Sequence, residues 1–245
     1  MATINGTDSA DRLIRTAWAD LIRGLDGADR LFGRAGHDTI HGGDDEDRLH
    51  GEAGNGMLTG GKGEDSLWGG DGNDVLSDES GNDYLDGGNG NDRINSGEGN
   101  DTVFGGAGAD TINAGEGNDR IDAGAGSDRV LAMEGDDTVI AGAGHDVVFG
   151  GEGNDVLRGG WGNDMLRGGE GSDRFVFNDG SDTIRNFEPG DDDIDLRSFA
   201  GLNSFADVRA HLVQSGNHVL FQHGDDMLKI EWTRLGGLDS DDFVW

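Results

Sequence analysis

Twenty nine-residue copies follow one another across residues 6–185 without an insertion or deletion. The clearest read Gly-Gly-x-Gly-x-Asp-x-Leu-x, as in residues 60–68 and 159–167. Position six is Asp in nineteen copies, with Gly56 the exception, and position eight is apolar in all twenty, from Leu13 to Ile184. Position four is Gly in seventeen copies, the others holding Ser9, Trp18 and Asp45. A fixed period of this length means short units stacked on one another. Positions one to six read as a Gly-rich turn, where the backbone takes φ > 0 or comes close to another atom. Positions seven to nine alternate outward, inward, outward, as a strand does. One inward apolar residue cannot bury itself alone, but stacked copies form a continuous inner ladder. The expected fold is all-β: a parallel β-roll (β-solenoid) of about ten turns, two copies to a turn, roughly 45–50 Å long.

Stacking raises an electrostatic problem. Asp65, Asp83, Asp101, Asp119, Asp137 and Asp155 fall in one column, and Asp74, Asp92, Asp110, Asp128, Asp146 and Asp164 in the other. Like charges at rung spacing repel unless cations lie between them. Carboxylates with turn carbonyls make a hard, all-oxygen donor set, which suits calcium better than magnesium with its stricter octahedral demand. The absence of Cys and the presence of only seven His argue against zinc and other transition metals. Nine gaps on each edge give room for roughly 12–18 calcium ions. Filling them would nearly offset the formal net charge of -32. Acidic, Gly-rich chains are often disordered, but disorder does not require an in-phase Asp and an apolar ladder; without the cation it is the expected state.

These residues resemble the RTX family, the calcium-binding β-roll repeats of proteins exported by type I secretion systems. The resemblance covers residues 6–185 by repeat and reaches Trp245 by a weaker tail pattern. It implies that the position-six side chains and turn carbonyls bind calcium between rungs. Carried over, the carboxylate ligands are Asp29, Asp38, Asp47, Asp65, Asp74, Asp83, Asp92, Asp101, Asp110, Asp119, Asp128, Asp137, Asp146, Asp155, Asp164, Asp173 and Asp182. The carbonyl ligands are represented by Gly61, Gly63, Gly70, Gly72, Gly106, Gly108, Gly151, Gly153, Gly160 and Gly162. Gly56 leaves its own site in question. The resemblance also implies secretion by the type I apparatus and folding outside the cell, where calcium is abundant.

Three regions follow. Residues 1–23 form degenerate capping repeats that keep Asp11 and Asp20 but lack most glycines, with Trp18 and Leu21 expected to cover the open end. Residues 24–185 form the calcium-binding roll. Residues 186–245 form a small strand-and-helix cap that doubles as the expected secretion signal. In it, Phe187, Ile194 and Leu196 suggest closing strands. Asn203-Ser204 starts a short helix with Phe205, Val208 and Leu212 on its apolar face, and residues 218–223 and 227–232 read as two strands. The chain ends Asp-Asp-Phe-Val-Trp, similar to the acidic-then-hydrophobic ends of such export signals.

Other functions find less support. The first residues carry neither the basic segment nor the apolar stretch of a Sec-type signal peptide, and no run is long enough for a transmembrane segment. The acidic balance argues against nucleic acid. No His-Glu-x-x-His, Gly-x-Ser-x-Gly or phosphate-loop motif occurs. His41 and His50 are nine apart and so belong on opposite sheets, while His37 and His145 stand in turns as solvated residues. The chain reads as non-enzymatic. Eleven of sixteen Arg occupy positions seven or nine, facing outward. Arg30 and Arg48, with Phe32, Trp68 and Phe104 at every second rung, mark a candidate face for an acidic polysaccharide. The main reading is a secreted calcium-binding β-roll with a surface, matrix or interaction role; the alternative is a polysaccharide-binding accessory module of a carbohydrate-modifying enzyme.

Overall fold

A computed structural model describes residues 3–14 and 18–245; residues 1, 2 and 15–17 of the expected N-terminal cap lie outside them. Alternate copies feed opposite sheets, one 14-stranded and the other 12-stranded. Neighbouring strands are parallel with partners eighteen residues apart, as Leu85 stands between Leu67 and Val103. Every position-eight side chain from Ile22 to Ile184 is buried, none more than 3% exposed. That ladder is the core.

The strands are longer than the repeat suggested. Arg93–Glu98 and Thr102–Ala107 each run six residues, from position seven of one copy through position three of the next. Position one therefore also turns inward: Ala114, Ala123, Ala132 and Ala141 are fully buried. The turn shrinks from six residues to three, since a six-residue strand engages more backbone N–H and C=O groups in the ladder. Position two and position four both take positive φ, as in Gly61 (128°) and Gly63 (134°).

The roll also continues beyond the repeat. Thr3–Asn5 pairs with Leu21–Asp26 at one end. At the other, Asp226–Ile230 pairs with Ser181–Arg185, and Asp193–Asp195 lies between Arg174–Val176 and Phe243–Val244. The result is about 11 turns rather than ten. Leu212–Ser215 and His218–His223 then extend the larger sheet in antiparallel fashion. The helix Phe205–Ala210 starts at Ser204, whose side chain accepts the Asp207 N–H, and it buries Val208. Phe177 takes position one of the last copy, where most copies have Gly or Ala. It packs against Phe199 and Phe221 at 5.1 and 6.2 Å between centroids, so bulk replaces smallness where the coil closes. Trp18 is 76% exposed and does not cover the opposite end; Leu13 packs against the core there. Among the described residues no helix is long and apolar enough to cross a membrane.

Candidate metal centre

Each position-six Asp ends a turn and opens a strand, and its two oxygens have different fates. Oδ1 accepts the N–H of the position-six residue one turn earlier: Asp47 donates to Asp65 at 2.7 Å, Asp65 to Asp83 at 2.8 Å and Asp101 to Asp119 at 2.8 Å. Oδ2 is buried without a hydrogen-bond partner in every position-six Asp from Asp29 to Asp173. A buried carboxylate oxygen left unpaired is costly, and here the defect repeats in register. The same defect stops at both ends. Asp11 Oδ2 accepts the Thr7 N–H at 2.7 Å and the Thr7 hydroxyl at 2.9 Å. Asp192 Oδ1 accepts the Asp173 N–H, and its Oδ2 accepts the Glu188 N–H at 2.8 Å. The chain thus supplies its own donors at the outermost turns and leaves the inner oxygens free. Asp182 keeps the Oδ1 bond, from the Asp164 N–H, but lies outside the unpaired series. Asp192, nineteen residues after Asp173, continues the column out of step with the nonapeptide period, so sequence spacing alone missed it.

Burial sets the proton affinity of these groups. It pushes Asp47, Asp119 and Asp155 up to about 7 and Asp137 up to about 8; the accepted N–H opposes it and neighbouring carboxylates reinforce it. An ionised column therefore calls for positive charge close by. The donors around it are all oxygen. A β-carbon built on Gly24 would lie 2.0 Å from Asp29 Oδ2 and 2.7 Å from the Gly42 carbonyl oxygen. The unpaired oxygen and the position-one carbonyl one turn on thus crowd the same point. The carbonyls of Gly63, Gly70, Gly72, Gly106, Gly108, Gly151, Gly153 and Gly162 point along the stacking axis. Each lies 1.7–2.2 Å from where a β-carbon would stand on the glycine of the next turn. The Gly61 carbonyl already accepts the N–H groups of Glu79 and Ser80 at 3.2 Å each. This repeated, hard, oxygen-only set fits calcium. At Gly56 the N–H still donates to Asp74 Oδ1, at 2.6 Å, but no carboxylate returns to Asp38.

Position five carries a second ladder that sequence reasoning missed. The Asn55 side chain accepts the Asn73 N–H at 3.0 Å, Asn73 accepts from Asn91 at 2.9 Å, and Asn100 accepts from Asn118 at 2.7 Å. Position five thus bonds toward the following turn and position six toward the preceding one. His37 and His145 are members of this ladder rather than merely solvated: their Nδ1 atoms accept N–H groups from Asn55 and Asn163 at 2.8 and 3.1 Å. The recurrence of Asn at position five was the available signal. A second omission is Asp78, a buried carboxylate at position one of the ninth copy, 3% exposed.

The outer faces match the expected placement more closely than the expected use. Arg12, Arg30 and Arg48 stand opposite one another on the smaller sheet. His41 and His50 lie on opposite sheets. The Phe32, His50 and Trp68 rings stack at 4.8 and 4.4 Å, and Tyr84 fills the step between Trp68 and Phe104 at 5.5 Å from each. Arg12 lies over the Phe32 ring at 5.1 Å. Ring faces that a sugar would need are largely used by neighbours.

The family model described as the RTX calcium-binding nonapeptide repeat matches consecutive, overlapping segments that together span residues 23–184. No curated protein matches the chain. Among solved structures, the AlgE6R3 subunit of the mannuronan C5-epimerase from Azotobacter vinelandii is 24% identical, with 56% of this chain and 78% of that one covered and a TM-score of 0.40. The extracellular lipase LipA from Serratia marcescens is 16% identical over 82% of this chain, with a TM-score of 0.34; the match spans 40% of the lipase chain.

Proposed function

The chain belongs to the RTX calcium-binding nonapeptide repeat family, and from that premise we propose that it is a secreted, non-enzymatic β-roll whose folding is driven by calcium outside the cell. The observation that carries this reading is the run of unpaired Oδ2 atoms along the column from Asp29 through Asp101 to Asp173, closed at its ends by Asp11 and Asp192, whose oxygens have protein donors. Within that run, the position-six carboxylates and turn carbonyls would hold the ions, and calcium would supply the charge that lets stacked carboxylates remain ionised at neutral pH. Oδ1, already bonded to backbone, would hold each carboxylate in place, and the position-five ladder would fix the turn. Export through a type I apparatus would accord with membership of this repeat family. Low cytosolic calcium would keep the chain unfolded before export, since extracellular calcium modules bind at about 10⁻⁴–10⁻³ M. A surface, matrix or interaction role would suit a rod whose edges calcium neutralises and whose faces carry Arg.

The test is a calcium titration of the full chain after chelation, followed by far-UV circular dichroism and isothermal calorimetry. Cooperative gain of β-structure with more than ten ions bound per chain is the expected result. A folded spectrum in excess chelator at pH 8 would overturn calcium-driven folding.

A further inference from the structure

Position one of the ninth copy departs from its neighbours. Where Gly60, Gly69 and Gly87 stand in adjacent copies, this copy has Asp78. The strand before it, Val75–Ser77, stops after three residues instead of six, and the Glu79 and Ser80 N–H groups both turn back to the Gly61 carbonyl. This local rebuilding brings the carboxylate inside. Asp78 Oδ1 accepts the N–H groups of Gly61 and Glu79 at 3.1 and 2.8 Å, which fixes the side chain. Its Oδ2 is buried and unpaired, as are Asp65 Oδ2 and Asp83 Oδ2. All three residues are at most 3% exposed. Ligand oxygens from the three lie within 4.8 Å of one another, and no other such group occurs among the described residues. A β-carbon on Gly60 would stand 2.0 Å from Asp78 Oδ2 and 2.5 Å from Asp65 Oδ2, so both oxygens are aimed at one spot. The Asp65 and Asp78 carboxylate oxygens therefore stand close together with no hydrogen-bond donor between them. Two ionised carboxylates hold that approach only around a cation; otherwise one of them must carry a proton.

Resting on the calcium reading above, we infer that Asp65, Asp78 and Asp83 form a distinct three-carboxylate site for a hard multivalent cation, tighter than the repeat sites around it. The only carboxylates the regular gaps offer beside their carbonyls are those of position six; this one adds a third, from a position where most copies have Gly or Ala. Affinity for hard cations rises with the number of charged ligands and with the rigidity of the site, and the two backbone bonds to Asp78 Oδ1 supply the rigidity. Loaded first and emptied last, such a site would hold the turns on either side of Asp78 together while the rest of the roll assembles.

The experiment uses the full chain folded in calcium and mixed rapidly with a fluorescent chelator. Wild type is expected to release one ion per chain at least about tenfold more slowly than the rest. Asp78→Gly, which restores the ordinary residue, and Asp78→Asn, which keeps the shape without the charge, should both fold in calcium and lose only that slow phase. Absence of a slow ion from wild type overturns the inference by itself, as does its persistence in both variants. If there is no slow ion and Asp78→Asn folds at lower calcium than wild type, the pair shares a proton instead. Failure of wild type to gain β-structure with calcium would sink the calcium reading itself, a result distinct from all of these.

Discussion

Met133 occupies position two with φ of 92°, a conformation that regular copies give to glycine. A side chain with a β-carbon held there costs roughly 1 kcal/mol, and Met133 is 45% exposed, so its packing recovers little. Met133→Gly is expected to raise stability by roughly 0.5–1 kcal/mol, visible as a higher thermal midpoint in saturating calcium. The same change at Met165, within the strand Met165–Glu170, should lower it. Gly56 offers the converse test. It has no positive φ, and an added β-carbon would meet only the Leu58 Cδ1 atom, at 3.0 Å, before reaching ordinary contacts. Gly56→Asp is therefore expected to fold and to raise the calcium stoichiometry, with the Asp38 N–H gaining an acceptor; an unchanged ion count by calorimetry would refute the assigned register. The position-six column was legible in the sequence because one residue type recurs in phase. The position-five ladder was less so, because Asn, Asp, Ser and His share the role. Asp78 was illegible: a carboxylate where most copies have Gly or Ala has no meaning until position one is known to face inward, and such small residues show no inward periodicity of their own.

Asp226–Ile230 covers the last repeat strand, Ser181–Arg185, and Asp193–Asp195 covers Arg174–Val176. The residues they protect, Phe175 and Ile184, are fully buried. Deleting residues 186–245 would uncover the inner ladder and two open strand edges, which serve as templates for association. The truncated chain is expected to need more calcium to fold and to self-associate, measured by circular dichroism and sedimentation velocity; a monomer folding at the wild-type calcium concentration would show that the tail does not support the roll. The helix and hairpin of this tail were readable from the Ser204 cap and from alternation at residues 218–223. That the tail would add parallel rungs to both sheets was not, because Asp192 and Ile194 lie one residue out of the nonapeptide phase. The two edges are also unlike each other. Glu98, Glu116, Glu134, Glu152 and Glu170 stand in register on one, while Ala107, Ala125, Ala143 and Trp161 do so on the other.

Taken together, the buried carboxylates make the metal-free roll dependent on acid for its stability. Their folded affinity for protons lies above that of the unfolded chain, with Asp47 and Asp119 near 7 and Asp137 and Asp182 near 8. Between about pH 4 and those values the folded roll binds more protons than the unfolded chain, so its stability falls as pH rises. In chelator the chain is expected to be disordered at pH 8 and to gain β-structure as pH approaches 5, with no further gain below about pH 4. With calcium present, the folding midpoint should move to lower calcium as pH falls from 8 to 5, because protons then take over part of the neutralisation, while the folded roll holds its ions less tightly as they compete with protons. Circular dichroism across that range checks both, and a chelated chain equally disordered at pH 8 and pH 5 would contradict the first. The opposed bonds of positions five and six have a mechanical consequence as well. Each coil is fastened only to the coil before it and the coil after it, so no element carries load along the whole rod. Pulled from its two ends, the protein should peel rather than snap, each coil releasing about 60 Å of extended chain, and the tension trace would be a row of evenly spaced teeth.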